Sequence, residues 1–329
     1  MRKPEGLCLP LQNRSGTGHR SDETRLLPSQ RGRKACAFRY RKSFTLMKLW
    51  RARIESDRSL PSMRFLRYTF PALLAFTLLA TFAIAQKKKK SYPKKEFYSG
   101  KPIQALIVTG GCCHNYLYQT FALGSGVQKV ANVDFEVVHV GGKGTSAMID
   151  LYNDPDWAEP YDVVVHNECF ANTAEPDYIR RITETHRAGT PSVVVHCAMH
   201  SYRAAEIDDW RKFLGVTSRH HEHQSNYPVK VEKPDHPVMK GFPSDWVTPK
   251  DELYIIEKVW PNTTVLATSV SEKTQKKQPV MWVNDFDGTR VVGTTYGHSD
   301  ATFDDDVFIR FLARAIVWTS GVEEAVATE

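Results

Sequence analysis

Apolar positions from residue 103 onward switch between two periods. Residues 103–108, 135–140 and 161–168 are short β-rich runs, and Ser192-Val193-Val194-Val195 is a run without polar alternation, as expected of a strand buried on both faces. Between them, 116–130 carries Leu117, Phe121, Leu123, Val127 and Val130 at helical spacing. Residues 148–152 form a short helical segment broken at Asp154-Pro155-Asp156, and 176–186 and 206–214 read as helices. Glu175 and Asp177 favour the start of the third segment, and Gly215 stops the fourth. The order βαβαβαβα predicts a parallel sheet with helices on both faces.

The second half reads differently. Residues 220–224 (His-His-Glu-His-Gln) and 235–243 read as loops, and 229–231, 251–256 and 264–268 as short strands. Residues 279–283 and 289–295 form a hairpin through Asp285-Phe286-Asp287-Gly288. Residues 304–318 close the chain as an amphipathic helix on Val307, Phe308, Phe311, Leu312 and Ile316, opened by an acidic first turn. No repeat is present, and 103–321 reads as one domain, followed by a tail at 322–329.

The first hundred residues lack such periodicity. Residues 1–62 are arginine-rich and read as disordered, or as an extension ahead of a true start at Met63. Met63-Arg64-Phe65-Leu66-Arg67, an apolar run over 68–85 and the exit Ala83-Ile84-Ala85 make a secretory signal, with an uncleaved membrane anchor as the alternative. Residues 86–102 read as a lysine-rich linker. The chain is therefore expected to be exported, touching a membrane only if residues 68–85 are retained.

Net charge follows this division. Residues 1–85 hold 17 Lys and Arg against 5 Asp and Glu, whereas 97–329 hold 21 against 31. The overall +7 belongs to the leader and the linker, and an acidic domain argues against a nucleic-acid partner.

Chemistry collects at the strand exits. His114 follows Thr109-Gly110-Gly111, Glu168 ends the third strand, and His196, Cys197 and His200 follow Val195. His298 follows the last strand. In an open parallel sheet these exits face one edge. Glu252 is a candidate general base beside Asp251, and Tyr254 a candidate stacking ring. His221 and His223 are alternate residues that, with His114 or His298, offer a zinc-like site, or else a polar rim without metal. Four domain cysteines are too few for a disulfide scaffold, and Cys112 and Cys113 are adjacent, able to pair only through a strained ring.

Several ordered strings carry a family resemblance. They are Thr109-Gly110-Gly111 with His114, Val195-His196-Cys197-Ala198, the histidines after Leu214-Gly215, and His236-Pro237-Val238-Met239-Lys240-Gly241. Asp251-Glu252-Leu253-Tyr254, Pro279-Val280-Met281-Trp282, Gly288-Thr289-Arg290-Val291, Gly297-His298 and 315–321 complete the set. Residues 103–321 resemble the trehalose-utilisation (ThuA-like) family. The resemblance implies a flavodoxin-like three-layer sandwich, like class I glutamine amidotransferases, and a small carbohydrate (a glycoside or keto-sugar) as partner. Its glutaminase relatives place Cys in a G-x-C-x-G elbow, and neither glycine flanks Cys197. The roles expected are acid–base work by His196, His298 and Glu252, with substrate contacts from His114, His200, His221, His223, Tyr254 and Glu168. The alternatives are a cysteine hydrolase or amidotransferase using Cys197, and a non-catalytic carbohydrate-binding module. The pattern leaves metal content and oligomeric state open.

Overall fold

A computed structural model describes residues 37–41 and 92–322. The expected leader over 63–85 lies outside the described residues, as do 323–329. Eleven strands and five helices are described: β1 (Ala37–Arg41), β2 (Tyr98–Gly111), α1 (Tyr116–Val130), β3 (Ala131–Val140), β4 (Val163–Cys169), α2 (Pro176–Arg187), β5 (Ser192–Val195) and α3 (Asp209–Leu214). After these come β6 (Val216–Ser225), β7 (Lys230–Val231), β8 (Asp251–Val259), β9 (Thr263–Val270), β10 (Lys277–Phe286), β11 (Thr289–Thr294), α4 (Asp300–Asp304) and α5 (Asp306–Thr319).

Nine strands form one sheet in the order β1-β3-β2-β4-β5-β11-β10-β9-β7. Its centre, β3-β2-β4-β5-β11, is parallel throughout. Antiparallel strands flank it: β1 pairs with β3 at one edge, and β10, β9 and β7 follow β11 at the other. Because both faces are covered, successive residues of each central strand enter different cores. Ala105, Ile107, Val163, Val165, Val193 and Val195 pack with Leu123 and Val127 of α1 and with Phe308, Phe311 and Leu312 of α5. Leu106, Val108, Val164 and Val194 pack on the other face with Tyr178, Ile179 and Ile182 of α2 and with Trp210, Phe213 and Leu214 of α3. This is the three-layer α/β sandwich expected.

Several boundaries move. Strand β2 begins at Tyr98, inside the stretch that reads as linker, and Lys95 Nζ donates to Gln128 O at 2.7 Å. Helix α3 starts at Asp209 rather than 206, and the closing helix divides at Asp305, whose carboxylate caps α5 by accepting from Phe308 N at 3.0 Å. The apolar stripe expected on α1 is rotated: Leu117 and Phe121 are 70% and 57% exposed, while Tyr116, Gln119, Thr120, Leu123 and Val127 face inward. Residues 220–224 are not a loop. They belong to β6, which pairs antiparallel with β8 as a separate two-stranded sheet. Exposed polar side chains, His220, His221, His223 and Gln224, around a buried Glu222 hide the strand's period. Among the described residues no helix is long and apolar enough to cross a membrane.

The turn leaving β2 depends on Gly110, at φ +127°, where a Cβ would run into the Val140 carbonyl. Gly189 has φ +118° but open space around it. Gly110→Ala is therefore expected to cost about 3 kcal/mol or more, and Gly189→Ala about 1–2 kcal/mol from backbone strain alone. Urea unfolding of the two variants checks that ranking.

Candidate functional site

Strand β5 ends at Val195, and His196 takes φ +47° before a 3₁₀ turn over His196–His200. A side-chain-bearing residue in the left-handed region costs about 1–3 kcal/mol, so its surroundings must hold it there. His196 Nδ1 donates to the Thr295 carbonyl at 2.7 Å. Space comes from Gly297 (φ +130°), where a Cβ would sit 3.0 Å from Val195 Cγ1 and 3.1 Å from His196 Cβ. The glycine that admits this elbow lies across the sheet at the exit of β11, so no glycine is needed beside Cys197.

Three imidazoles meet here. His196 Nε2 lies 3.0 Å from His114 Nε2, which lies 3.1 Å from His298 Nδ1. They reach the same edge because β2, β5 and β11 run parallel and end there. Glu252 enters from β8, its Oε1 3.3 Å from His298 Nδ1 and its Oε2 3.7 Å from His196 Nε2 and 3.5 Å from His221 Nδ1. The Tyr254 hydroxyl is 3.4 Å from His196 Nε2. Gln224 of β6 reaches His298 Nε2 at 2.7 Å.

Asp251, next to Glu252, anchors the arrangement. Its buried carboxyl accepts from Gly297 N at 2.9 Å, from His298 N at 3.2 Å, from Thr302 Oγ1 at 2.6 Å and from Glu252 N at 2.7 Å. Gln119 of α1 donates to the carbonyls of Gly297 and His298, each at 3.2 Å, and so braces the same turn from its other side.

Electrostatics divide the imidazoles. Burial, reinforced by the charge of His298, pushes His114 down to about 4, and burial holds His196 well below its ordinary value. At His298 burial also opposes the charged form, but the hydrogen bond and charge of Glu252 outweigh it and raise the value. Glu252 is correspondingly lowered: burial works against its charge, and His298 overcomes it. Burial raises Asp251 to about 6, against the pull of its four donors. His298 and Glu252 thus form a charge-assisted pair beside two neutral rings.

Other expected residues are placed elsewhere. His221 borders Glu252, but a bulge between His221 and Gln224 breaks the alternation, and His223 turns to the surface and pairs with Glu272 at 2.8 Å. The His221–His223 metal pair is therefore not formed. His200 is buried, stacked on Tyr254 at 4.0 Å between centroids and 3.1 Å from Ser218 Oγ; burial, with Arg203 nearby, pushes it to about 3. It supports Tyr254 from behind. Glu168 is fully buried and bonds His166 Nδ1 at 2.9 Å, and His166 continues to His186 at 3.0 Å. It serves this interior chain and makes no bond to the three-histidine cluster. Cys197 is disulfide-bonded to Cys169, and Cys112 to Cys113. Bridged sulfurs carry no thiolate, so the expectation of Cys197 as nucleophile is corrected.

A groove of about 550 Å³ opens beside His114, lined among others by Asn115, Leu117, His139 and Lys143. Sequence reasoning missed His139, Lys143, Asn115 and Gln224, which no periodicity marks. The role of Asp251 was signalled only by its place in the Asp251-Glu252-Leu253-Tyr254 string.

The family model described as ThuA, trehalose utilisation, matches residues 105–319. The chain belongs to this ThuA family. Among solved structures it is similar to a ThuA-like protein from Parabacteroides merdae ATCC 43184, at 22% identity over 67% of this chain and 90% of that one, with TM-score 0.54. A second ThuA-like protein, from Bacteroides uniformis ATCC 8492, is 19% identical over 70% and 94% of the two chains, with TM-score 0.50. A GMP synthase protein from Thermoplasma acidophilum matches at 13% identity over 70% and 99%, with TM-score 0.46. No curated protein matches the chain. ThuA membership agrees with the mostly parallel α/β sandwich.

Two outcomes are expected of this site. Iodoacetamide added to the native ThuA chain without reductant should leave Cys112, Cys113, Cys169 and Cys197 unlabelled, as read by peptide mass mapping. Stability should fall as pH drops from 6.5 toward 4. There the unfolded chain takes up protons that buried His114, His196, His200 and His186 refuse, so ΔG rises with pH. Each contributes up to about 1.4 kcal/mol per pH unit. Asp251, raised to about 6, opposes this with stability that is lost as pH rises through that value. The four histidines outnumber it, and urea midpoints at several pH values test the sign.

Proposed function

We propose that this ThuA-family chain acts on a carbohydrate, a glycoside or an oxidised (keto) sugar, by acid–base chemistry. The observation that carries the reading is the Glu252–His298 pair, with Glu252 Oε1 3.3 Å from His298 Nδ1, next to His114, which lines a groove of about 550 Å³. Acid–base work needs two titratable groups whose environments push their values apart, and here the imidazole is raised and the carboxylate lowered. In its charged form, stabilised by Glu252, His298 gives a proton to the leaving oxygen as the glycosidic C–O bond breaks, while water forms the new C–O bond and gives its proton to neutral His196 through Nε2. Asn115, His139 and Lys143 provide polar partners for hydroxyls, while Leu117 and Tyr116 offer apolar surface to a ring face. The family's description as trehalose utilisation supports the same substrate class.

Export is part of this proposal. The basic-apolar-Ala-x-Ala pattern over 63–85 supports it, and two disulfides suit an oxidising compartment. The partner is a small carbohydrate rather than nucleic acid, since residues 97–329 are acidic overall.

Trehalose, other α- and β-linked disaccharides and their keto derivatives, offered to the full-length chain, are expected to include one that is turned over. Glu252→Gln and His298→Asn should each slow that turnover by about 10²–10⁴-fold with binding retained. Saturable sugar binding without turnover by the unaltered protein would make it a binding module. Full activity in both variants would overturn the assignment of the pair.

A further inference from the structure

The proton inventory of the three-histidine cluster does not balance. His196 Nδ1 faces a carbonyl oxygen, Thr295 O, which only accepts, so this nitrogen carries the proton and Nε2 is bare. Tyr116 gives its hydroxyl proton to Cys112 O at 3.1 Å, so its oxygen accepts from His114 Nδ1 at 3.1 Å, and His114 Nε2 is bare as well. These two bare nitrogens face each other at 3.0 Å. His298 Nδ1 stands 3.1 Å from one of them, and the Glu252 carboxylate oxygens lie 3.3–3.7 Å from the ring nitrogens of His298 and His196. The donors that reach this point are the Tyr254 hydroxyl, at a long 3.4 Å, and the proton left on His298 Nδ1 when the Gln224 amide nitrogen donates to its Nε2 at 2.7 Å. Neither separates the two facing lone pairs. Acceptors crowded round one point call for a positive charge among them.

We propose that His114 Nε2, His196 Nε2 and His298 Nδ1 hold a divalent transition-metal cation of the zinc or cobalt class, with Glu252 supplying an oxygen as the fourth ligand or the balancing charge. The three ring atoms lie within 4.8 Å of one another. Bonds of about 2.0–2.1 Å in a tetrahedral site place ligand nitrogens about 3.3 Å apart, close to the 3.0 and 3.1 Å seen here. Imidazole nitrogens with one carboxylate suit zinc, cobalt or nickel and disfavour magnesium or calcium. The outer bonds are those a metal-bound imidazole needs: His196 is oriented through a backbone carbonyl and His114 through a tyrosine oxygen. Asp251 fixes the backbone that carries His298, and the Gly297 contact fixes the elbow that carries His196. The ligands come from three strand exits, so the site exists only in the folded chain. His221 and His223 take no part. This inference rests on the carbohydrate reading and its residues, but a bound cation would occupy the lone pairs of His196 Nε2 and His298 Nδ1, so it would polarise a sugar oxygen in place of proton transfer at those two atoms.

The test uses the full-length chain purified without a histidine tag, stripped with a chelator and reloaded with Zn²⁺ or Co²⁺. One metal per chain is expected, with visible d–d absorption from Co²⁺ in a low-coordinate nitrogen-rich site. His114→Ala and His298→Ala should each weaken binding by roughly 10²-fold or more, Glu252→Gln by about 10–100-fold, and His223→Ala not at all. Circular dichroism confirms that each variant is folded. A folded parent chain that takes up no metal would overturn the inference, leaving a shared proton between His114 and His196. Uptake unchanged in the His114→Ala, His298→Ala double variant would overturn it too. Metal uptake without any sugar turnover sinks the carbohydrate reading alone, and turnover by a chain that binds no metal sinks the metal alone.

Discussion

Parallel pairing of β2, β4, β5 and β11 forces their C-terminal ends onto one edge of the sheet, and the site is built on that constraint. The register matches Gly110 to Glu168 across β2 and β4, and Thr294 to Val195 across β11 and β5. Residues one to four positions beyond these pairs, His196, His114 and His298, have little freedom to diverge. Separations of 82 and 184 residues in sequence shrink to hydrogen-bond distance. The two cores on either face fix the sheet, and so fix the rim indirectly.

A second constraint comes from outside the parallel sheet. Strand β8 pairs only with β6, yet its first residues deliver Asp251, Glu252 and Tyr254 to the histidines. Asp251 spends its carboxyl on backbone and hydroxyl donors from the β11 exit and from α4. Burying a carboxyl is costly unless its hydrogen bonds are satisfied, and here four donors offset the cost. The gain is positional: Glu252 and His298 are held against each other by the bonds of a neighbour that touches neither side chain. Glu168 shows the opposite outcome. Buried on β4, it turns into an interior chain with His166 and His186 and leaves the rim.

The fold was largely legible because both-face burial leaves unbroken apolar runs. Residues 192–195 match β5, and 116–130 match α1. The inward face of α1 was misjudged because Gln119 and Thr120 point inward to brace and pack, while Leu117 borders the groove. Strand β6 reads as a loop in sequence because its exposed histidines and bulge erase period-two alternation. Of the candidate site, His114, His196, His298, Glu252 and Tyr254 were recognisable as reactive or stacking side chains at strand ends. His223 was equally reactive on paper, but a single bulge turns it to Glu272.

From its sequence alone this chain determined its layer architecture, its acidic domain behind a basic N-terminal stretch, and the set of side chains available at one rim. Those properties depend on local period and composition, which neighbouring residues settle among themselves. Tertiary structure alone decided which of the histidines meet and which imidazole is pushed toward and which away from its charged form. It also decided that the sulfurs of Cys197 and Cys169 are joined, and that the elbow at His196 borrows its space from Gly297. Each of these is a contact between segments far apart in the chain, and no local pattern carries the distance between two strand ends.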